Sequence, residues 1–335
     1  MDAATVERFE ANRSRLASLA YRLLGSAADA EDAVQDTFLR WHSADQAHID
    51  VPEAWLTKVL TNLALDRLRS ARTRHERATG DWLPEPLLDG DPMLGPAETA
   101  EQRESVTLAM LLLMERLAPV ERAVYVLREA FAYSHAEIAG ILDITESASQ
   151  QHTHRARRRI AAGHPAGDSG LGVARPADSG LGVARPADSA GGLDRGAARR
   201  VVEAFVDAAS SGRTERLVAL LTDDATAISD GAGLARKILR YSVPDRIAVA
   251  LRAAFKPSRA KRNLAGGPLT MHAGVVNGSP ALIAASPDRV VGVVVLHVRD
   301  GKVSDVHAIA APDRLGRLTD QWRRSEHDDP LIASW

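Results

Sequence analysis

At 335 residues, 45% of them hydrophobic, the chain has room for two or three compact units, each able to bury a core. It contains no cysteine, which excludes disulfides, thiolate zinc fingers and cysteine nucleophiles and leaves histidines and carboxylates for metal or acid-base chemistry. The net charge of -2 hides segregation: residues 154–159 read HRARRR and Arg67, Arg69, Arg72, Arg74 and Arg77 crowd one stretch, while Asp29, Glu31, Asp32 and Asp36 form an acidic group.

From Val6 to Arg72, apolar residues recur at helical spacing: Leu16, Leu19, Ala20 and Leu23, then Ala33, Val34, Phe38 and Trp41. Gly25 and Ser26 separate the first helix from the second, and Pro52 suits the first turn of a third, in which Trp55 and Leu56 read as core. Residues 80–97 carry Gly80, Pro84, Pro86, Gly90, Pro92, Gly95 and Pro96, a density that predicts a linker with Trp82, Leu83 and Leu87 free to dock. Helical periodicity resumes at TLAMLLLMERL, and Pro119 opens VERAVYVLREAF. Ser134 and Glu137 fit a capping box, Asp143 a tight left-handed turn, and Thr145 the cap of a basic helix ending at Ile160.

Residues 168–177 and 178–187 both read DSGLGVARPA, a tandem decamer that predicts a flexible linker between independently folding parts. AARRVVEAFVDAASSG and TERLVALLTDD then read as helices, and VVNGSPALIAAS and VVVLHVRDGKVSDVHAIA as strands. Asn277-Gly278 and Asp300-Gly301 are the hairpin turns, since both residue pairs tolerate the positive φ such turns need. Helices first and a strand meander after predict an α+β domain. No apolar run approaches the roughly 20 residues that span a bilayer. The start MDAATVERFE lacks a basic or apolar leader, which predicts a cytoplasmic protein.

The segments DAEDAVQDTFLRWH, PEAWLTKVLTNLALDRLRS and LAPVERAVYVLREAFAYSHAEIAGILDITESASQQHTHRARRRI, in that order and spacing, resemble regions two and four of extracytoplasmic-function sigma factors and cover most of residues 9–160. WLPEPL at 82–87 and the helix-plus-meander domain further resemble the SigJ-like subgroup, whose members carry a C-terminal SnoaL-like domain. Its Asp-Gly-Gly-Gly-Lys and Asn-Pro-Asp-Lys-Leu stretches are matched here by Asp230-Gly231-Ala232-Gly233 and Ala311-Pro312-Asp313-Arg314-Leu315.

The resemblance implies a multidomain chain: two all-α sigma domains, a region two helical bundle (5–77) and a region four helix-turn-helix (105–162), then a SnoaL-like (NTF2-like) α+β domain (196–318). A WLPEPL linker (78–104), a flexible linker (163–195) and a tail (319–335) complete it. It implies that Asp29, Asp32, Gln35, Asp36 and Arg40 bind core RNA polymerase. Lys58, Asn62, Arg69 and Arg72 would meet the promoter minus-ten element, with a base pocket around His48–Pro52. Gln150, Gln151 and His154 would reach base edges of the minus-thirty-five element, and Arg155, Arg157 and Arg158 its phosphates. Ser149, Gln150, His152 and Thr153 depart from the family pattern of an apolar residue, an Arg and two apolar residues, which predicts a loosely packed recognition helix or an unusual element.

Three readings follow for the last domain. Asp230, Tyr241, His272, His297 and His307 are its candidates for an acid-base site of the cyclase kind, although their spacing identifies no dyad. Regulation in cis is the reading preferred over an enzyme, with Trp82, Pro84, Asp230, Gly231, Pro312, Asp313, Arg314 and Leu315 as contacts. A cavity for a small-molecule ligand is the third. No cofactor or metal is expected, and a DNA-binding regulator that never touches polymerase is the alternative for the whole chain.

Overall fold

Helix α1 (Ala3–Leu24) turns Leu16, Leu19, Ala20 and Leu23 inward and ends where Gly25 adopts φ 67°, a left-handed corner that favours a residue without Cβ. Ser26 then caps α2 (Ala27–Ser43), its Oγ accepting from the Asp29 amide at 3.2 Å. With α3 (Pro52–His75) these helices form a bundle around Trp41, whose indole donates to the Thr5 carbonyl at 2.9 Å. Leu56 is core as expected, whereas Trp55 is half-buried and leans on Trp41 with ring centroids 5.6 Å apart. The computed structural model describes residues 3–75, 83–95, 100–162, 195–231 and 238–335. Trp82, Ala232, Gly233 and the duplicated decamer lie outside the described residues.

The second helical unit comprises α4 (Ala100–Glu104), α5 (Leu108–Met114), α6 (Pro119–Glu129), α7 (His135–Leu142) and α8 (Glu146–Ala162). Its punctuation follows the local chemistry. Ser134 and Glu137 form the capping box of α7, Asp143 takes φ 54°, and the Thr145 hydroxyl accepts from the Ala148 amide at 3.1 Å.

The third unit begins with α9 (Arg195–Ser210) and α10 (Thr214–Leu220), and α11 (Pro244–Phe255), α12 (Arg259–Ala265) and α13 (Gly316–Arg324) follow along the chain. Its strands are β1 (Leu221–Ser229), β2 (Leu239–Tyr241), β3 (Thr270–Val276), β4 (Ser279–Ala285), β5 (Val290–Arg299) and β6 (Lys302–Ile309). They make one mixed sheet in the order β2-β1-β6-β5-β4-β3, with β1 parallel to β6 and every other pair antiparallel. This α+β arrangement is consistent with a SnoaL-like fold. Asn277-Gly278 turns β3 into β4 and Asp300-Gly301 turns β5 into β6, all four residues at positive φ.

The two faces of the sheet serve different cores. Val202, Phe205, Ile247, Leu251 and Phe255 from α9 and α11 pack on Met271, Leu282, Leu296 and Val306. The alternate residues Ile283, Val293, Val295 and Ile309 point the other way and join a cluster with Leu83, Leu87, Met93 and Leu94, continuous with the helical units. The free edge of β3 is covered twice: residues 87–89 pair with its end at Val275–Asn277, and the chain terminus returns to its start. The Met271 amide donates to the Ile332 carbonyl and the Trp335 amide to the Leu269 carbonyl, each at 2.9 Å. Residues 331–335 therefore belong to the domain, and the boundary expected at 318/319 falls inside α13.

Four of the five acid-base candidates lie off the face that α9 and α11 cover. Asp230 sits at the end of β1, its carboxylate taken up by the Ala310 and Ala311 amides at 2.8–3.0 Å. His272, His297 and His307 share the face of Ile283 and Val295, where the His272 ring meets Trp322 of α13 with centroids 5.1 Å apart, and Tyr241 alone packs with α9 and α11. His307 is 2% exposed, and burial together with the neighbouring His297 pushes its imidazole down to about 4, Arg240 acting the same way and Asp305 against it. The unfolded imidazole takes up a proton below pH 6.5 that the folded one refuses until about pH 4. Stability of this domain should therefore fall by up to about 3 kcal/mol as pH drops through that window. His307→Asn should flatten that slope in denaturation curves taken at successive pH values.

Candidate polymerase and nucleic-acid interface

The outer face of α2 carries Asp29, Asp32, Gln35 and Arg40 in solvent. Asp36 is half-buried and held by the Arg67 guanidinium at 2.7 Å, and Arg67 also donates to the Asp29 carbonyl. Leu39 shares this stripe, three residues past Asp36 and seven past Asp32, and is 56% exposed. Sequence reading missed it; an apolar residue out of phase with the buried Val34 and Trp41 was the available signal.

On α3, Lys58, Asn62 and Arg69 recur on one side, and Arg72 continues the helix. Arg69 pairs with Asp66 at 3.3 Å, an exposed local contact. The Lys58 ammonium is engaged by the second helical unit: it donates to the Gly140 carbonyl at 3.1 Å and to Asp143 Oδ1 at 2.6 Å. Around it, the Arg15 guanidinium reaches the Tyr133 hydroxyl and lies over the Phe131 and Tyr133 rings at 5.7 and 5.3 Å, while Thr57 and Tyr133 share a hydrogen bond of 3.2 Å. The loop ahead of α3 is open, with a single helical turn at Gln46–His48, His48 against Asp45 at 3.0 Å and Val51 exposed.

The α7-turn-α8 unit places Gln150, Gln151, His154 and Arg158 on the exposed side of α8. Two of the three arginines expected at phosphates are engaged within the chain: Arg155 pairs with Glu121 at 3.1 Å and Arg157 with Glu129 at 2.7 Å. Glu121 is 5% exposed and takes Arg159 as well, so α8 is anchored to α6 by its own cations. The expectation of loose packing is corrected here. Ser149 and Thr153 are buried, the Ser149 hydroxyl bonds His135 Nδ1 at 2.9 Å, and the Thr153 hydroxyl donates to the Ser149 carbonyl at 3.1 Å. A satisfied polar seam replaces the apolar one.

The segment 83–95 runs between α1–α2 and the sheet. Leu83, Pro84 and Leu87 are buried, and Glu85 accepts from the Ala27 amide at 2.7 Å, placing its carboxylate at the start of α2. Asn277, fully buried at the β3–β4 turn, joins three segments. Its amide nitrogen Nδ2 donates to the Tyr21 hydroxyl at 2.8 Å and to the Val106 carbonyl at 2.7 Å; its Oδ1 accepts from the Leu87 amide at 2.8 Å; its backbone N–H donates to the Leu87 carbonyl at 2.9 Å. Burial pushes the Tyr21 hydroxyl pKa up, so it stays protonated and donates to the Glu85 carbonyl at 2.7 Å.

From α13, Arg317 grips the buried Asp91 carboxylate through two nitrogens at 2.6 and 3.0 Å and extends its third to Glu31 on α2. Gln321 adds a bond to Asp91 at 2.5 Å, and Arg314 donates to the Leu83 carbonyl. Of the expected contacts, Pro84, Arg314 and Leu315 are thus at the interface, Pro312 and Asp313 face solvent, and Asp230 and Gly231 bond within their own domain. Asn277, Arg317, Gln321, Asp91 and Tyr21 were missed.

Residues 8–74 match the family Sigma-70 region 2, and residues 107–160 match Sigma-70, region 4. The chain is similar to the ECF RNA polymerase sigma factor SigJ of Mycobacterium tuberculosis, 34% identical over 317 residues that cover 92% of this chain and 93% of that one. It is also 30% identical over 315 residues to the probable ECF RNA polymerase sigma factor SigI of the same organism, covering 92% and 94%. The crystal structure of M. tuberculosis SigJ superposes with a TM-score of 0.63 at 30% identity, over 92% of this chain and 97% of that one.

The Lys58–Asp143 pair is largely exposed, and such pairs contribute about 0–1 kcal/mol. Asp143→Asn keeps a residue that tolerates the left-handed turn and removes the charge. It should leave thermal stability nearly unchanged while tightening the salt-dependent binding of single-stranded promoter DNA by the free chain, measured by fluorescence anisotropy across salt concentrations.

Proposed function

This chain belongs to the extracytoplasmic-function RNA polymerase sigma factors, which act in transcription initiation, and we propose that its α+β domain sets in cis whether the two sigma regions can spread over core polymerase and promoter. The observation that carries this reading is the Asn277 junction, where one side chain of the α+β domain bonds α1, the segment 83–95 and the start of the region four unit together.

Core polymerase takes the α2 face through Asp29, Asp32, Gln35 and Arg40, with Asp36 fixed by Arg67 and Leu39 as an apolar anchor. The promoter minus-ten strand takes Lys58, Asn62, Arg69 and Arg72. The minus-thirty-five duplex takes Gln150, Gln151, His154 and Arg158, and Arg155 and Arg157 reach phosphates on release from Glu121 and Glu129. Elements centred about 25 base pairs apart are about 85 Å apart along B-form DNA. Units held together by Lys58–Asp143 and Arg15–Tyr133 cannot occupy both, so opening precedes promoter engagement. In this reading the protein works in the cytoplasm, as a regulator rather than a catalyst. A small-molecule ligand that stabilised the docked or the undocked domain would shift the same equilibrium by its differential affinity.

Arg317 provides the test. Removing it leaves the fully buried Asp91 carboxylate without its guanidinium, a change that typically costs about 3–5 kcal/mol. In run-off transcription with core polymerase, full-length Arg317→Ala should change promoter-specific output several-fold relative to the unaltered chain, and equal output would overturn regulation by this contact. Charge reversal at Asp32, exposed on α2, should weaken association with core polymerase in a pull-down.

A further inference from the structure

Asn277 is the junction of the docked chain and also the one asparagine followed by glycine; Asn12, Asn62 and Asn263 precede Arg13, Leu63 and Leu264. An Asn-Gly pair can convert itself. The glycine nitrogen attacks the asparagine Cγ, a nitrogen–carbon bond forms, and the side-chain nitrogen leaves as ammonia. Water then opens the cyclic imide at either carbonyl, giving aspartate or isoaspartate. Gly278 is exposed, and a Cβ placed on it would meet nothing within 4 Å, so the turn is open to solvent on the glycine side. What is not free is the asparagine. For Cγ to swing toward the Gly278 nitrogen, the carboxamide must leave the Leu87 amide, the Tyr21 hydroxyl and the Val106 carbonyl, and its position is further fixed by the backbone bond to the Leu87 carbonyl.

We propose that Asn277-Gly278 is a modification site whose deamidation is gated by docking of the α+β domain: blocked while the domain is docked, permitted once it opens. This rests on the reading that the domain undocks during function. The product cannot restore the junction. Aspartate lacks the two donors that Asn277 gives to Tyr21 and Val106, and it brings a carboxylate to a fully buried position beside the Val106 carbonyl oxygen. Isoaspartate adds a backbone carbon to a turn set by φ 50° and 70°. A chain that has remained open long enough is thereby converted to a form that stays open, so the site keeps a covalent record of undocking.

The experiment follows the full chain, full-length Arg317→Ala and full-length Leu87→Ala through incubation at neutral pH. Peptide mapping by mass spectrometry resolves asparagine, aspartate and isoaspartate at position 277, and hydrogen exchange of the Leu87 and Asn277 amides reports docking. Exchange and deamidation should both rise several-fold in the variants, with Asn12, Asn62 and Asn263 intact throughout. Adding Gly278→Ala to Arg317→Ala should slow the deamidation while the amides stay open, and the deamidated fraction of the unaltered chain should show open amides. If the amides open in the variants but Asn277 converts at the rate of the unaltered chain, the gate is overturned and docking stands. If neither variant opens the amides, the docking reading itself fails, and the gate with it.

Discussion

The arrangement depends on one buried carboxamide. Asn277 has both sides of its amide and its backbone N–H satisfied by residues from three separate segments, at a position with no solvent exposure. A buried amide that lost these partners would bear a desolvation cost of about 1–3 kcal/mol with nothing to offset it. The junction therefore holds as a set or opens as a set. Around it the segment 83–95 is pinned on both sides: Glu85 caps α2, residues 87–89 extend the sheet, and Asp91 receives Arg317 and Gln321.

This geometry couples the α+β domain to α2, the helix proposed to meet polymerase. Arg317 touches Asp91 and Glu31 at once, so a shift of α13 is felt at the start of α2. Regions two and four share a continuous apolar core and the buried Arg22, which donates to the Ser105 hydroxyl and the Gln102 carbonyl. At their rim they add contacts of another kind: the exposed Lys58–Asp143 pair, the Arg15 stack on two aromatic rings, and the hydroxyl pair of Thr57 and Tyr133. Each is individually small. In the proposed function they place a carboxylate on Lys58 where the promoter strand would bind, so the same side chain would have to exchange partners.

The recognition helix shows how a departure from pattern is absorbed. Ser149 and Thr153 stand in an apolar seam, and a Ser or Thr there would be costly alone. His135, fourteen positions earlier on α7, supplies the partner for Ser149, and the backbone supplies one for Thr153. The pairing is invisible to periodicity because it depends on where the α7–α8 turn brings the two helices together. The acid-base candidates are distributed by a related rule. Asp230 and the three histidines look alike in sequence, but strand alternation turns His272, His297 and His307 off the face that α9 and α11 cover, and the Ala310 and Ala311 amides occupy Asp230.

Read alone, the sequence determined what local rules can determine: the helix starts at Ser26, Pro52, Ser134 and Thr145, the left-handed turn at Asp143, both hairpin turns, the α+β character of the last domain and the sigma-like segments. Each depends on residues a few positions apart, where backbone geometry is decided by neighbours. The tertiary structure alone decided that Asn277, legible only as a turn residue, reaches Tyr21 across 256 positions, that Arg317 meets Asp91 across 226, and that Lys58 pairs with Asp143 across 85. Such partners are set by how three units distant in sequence pack, and no periodicity within one segment carries the position of another.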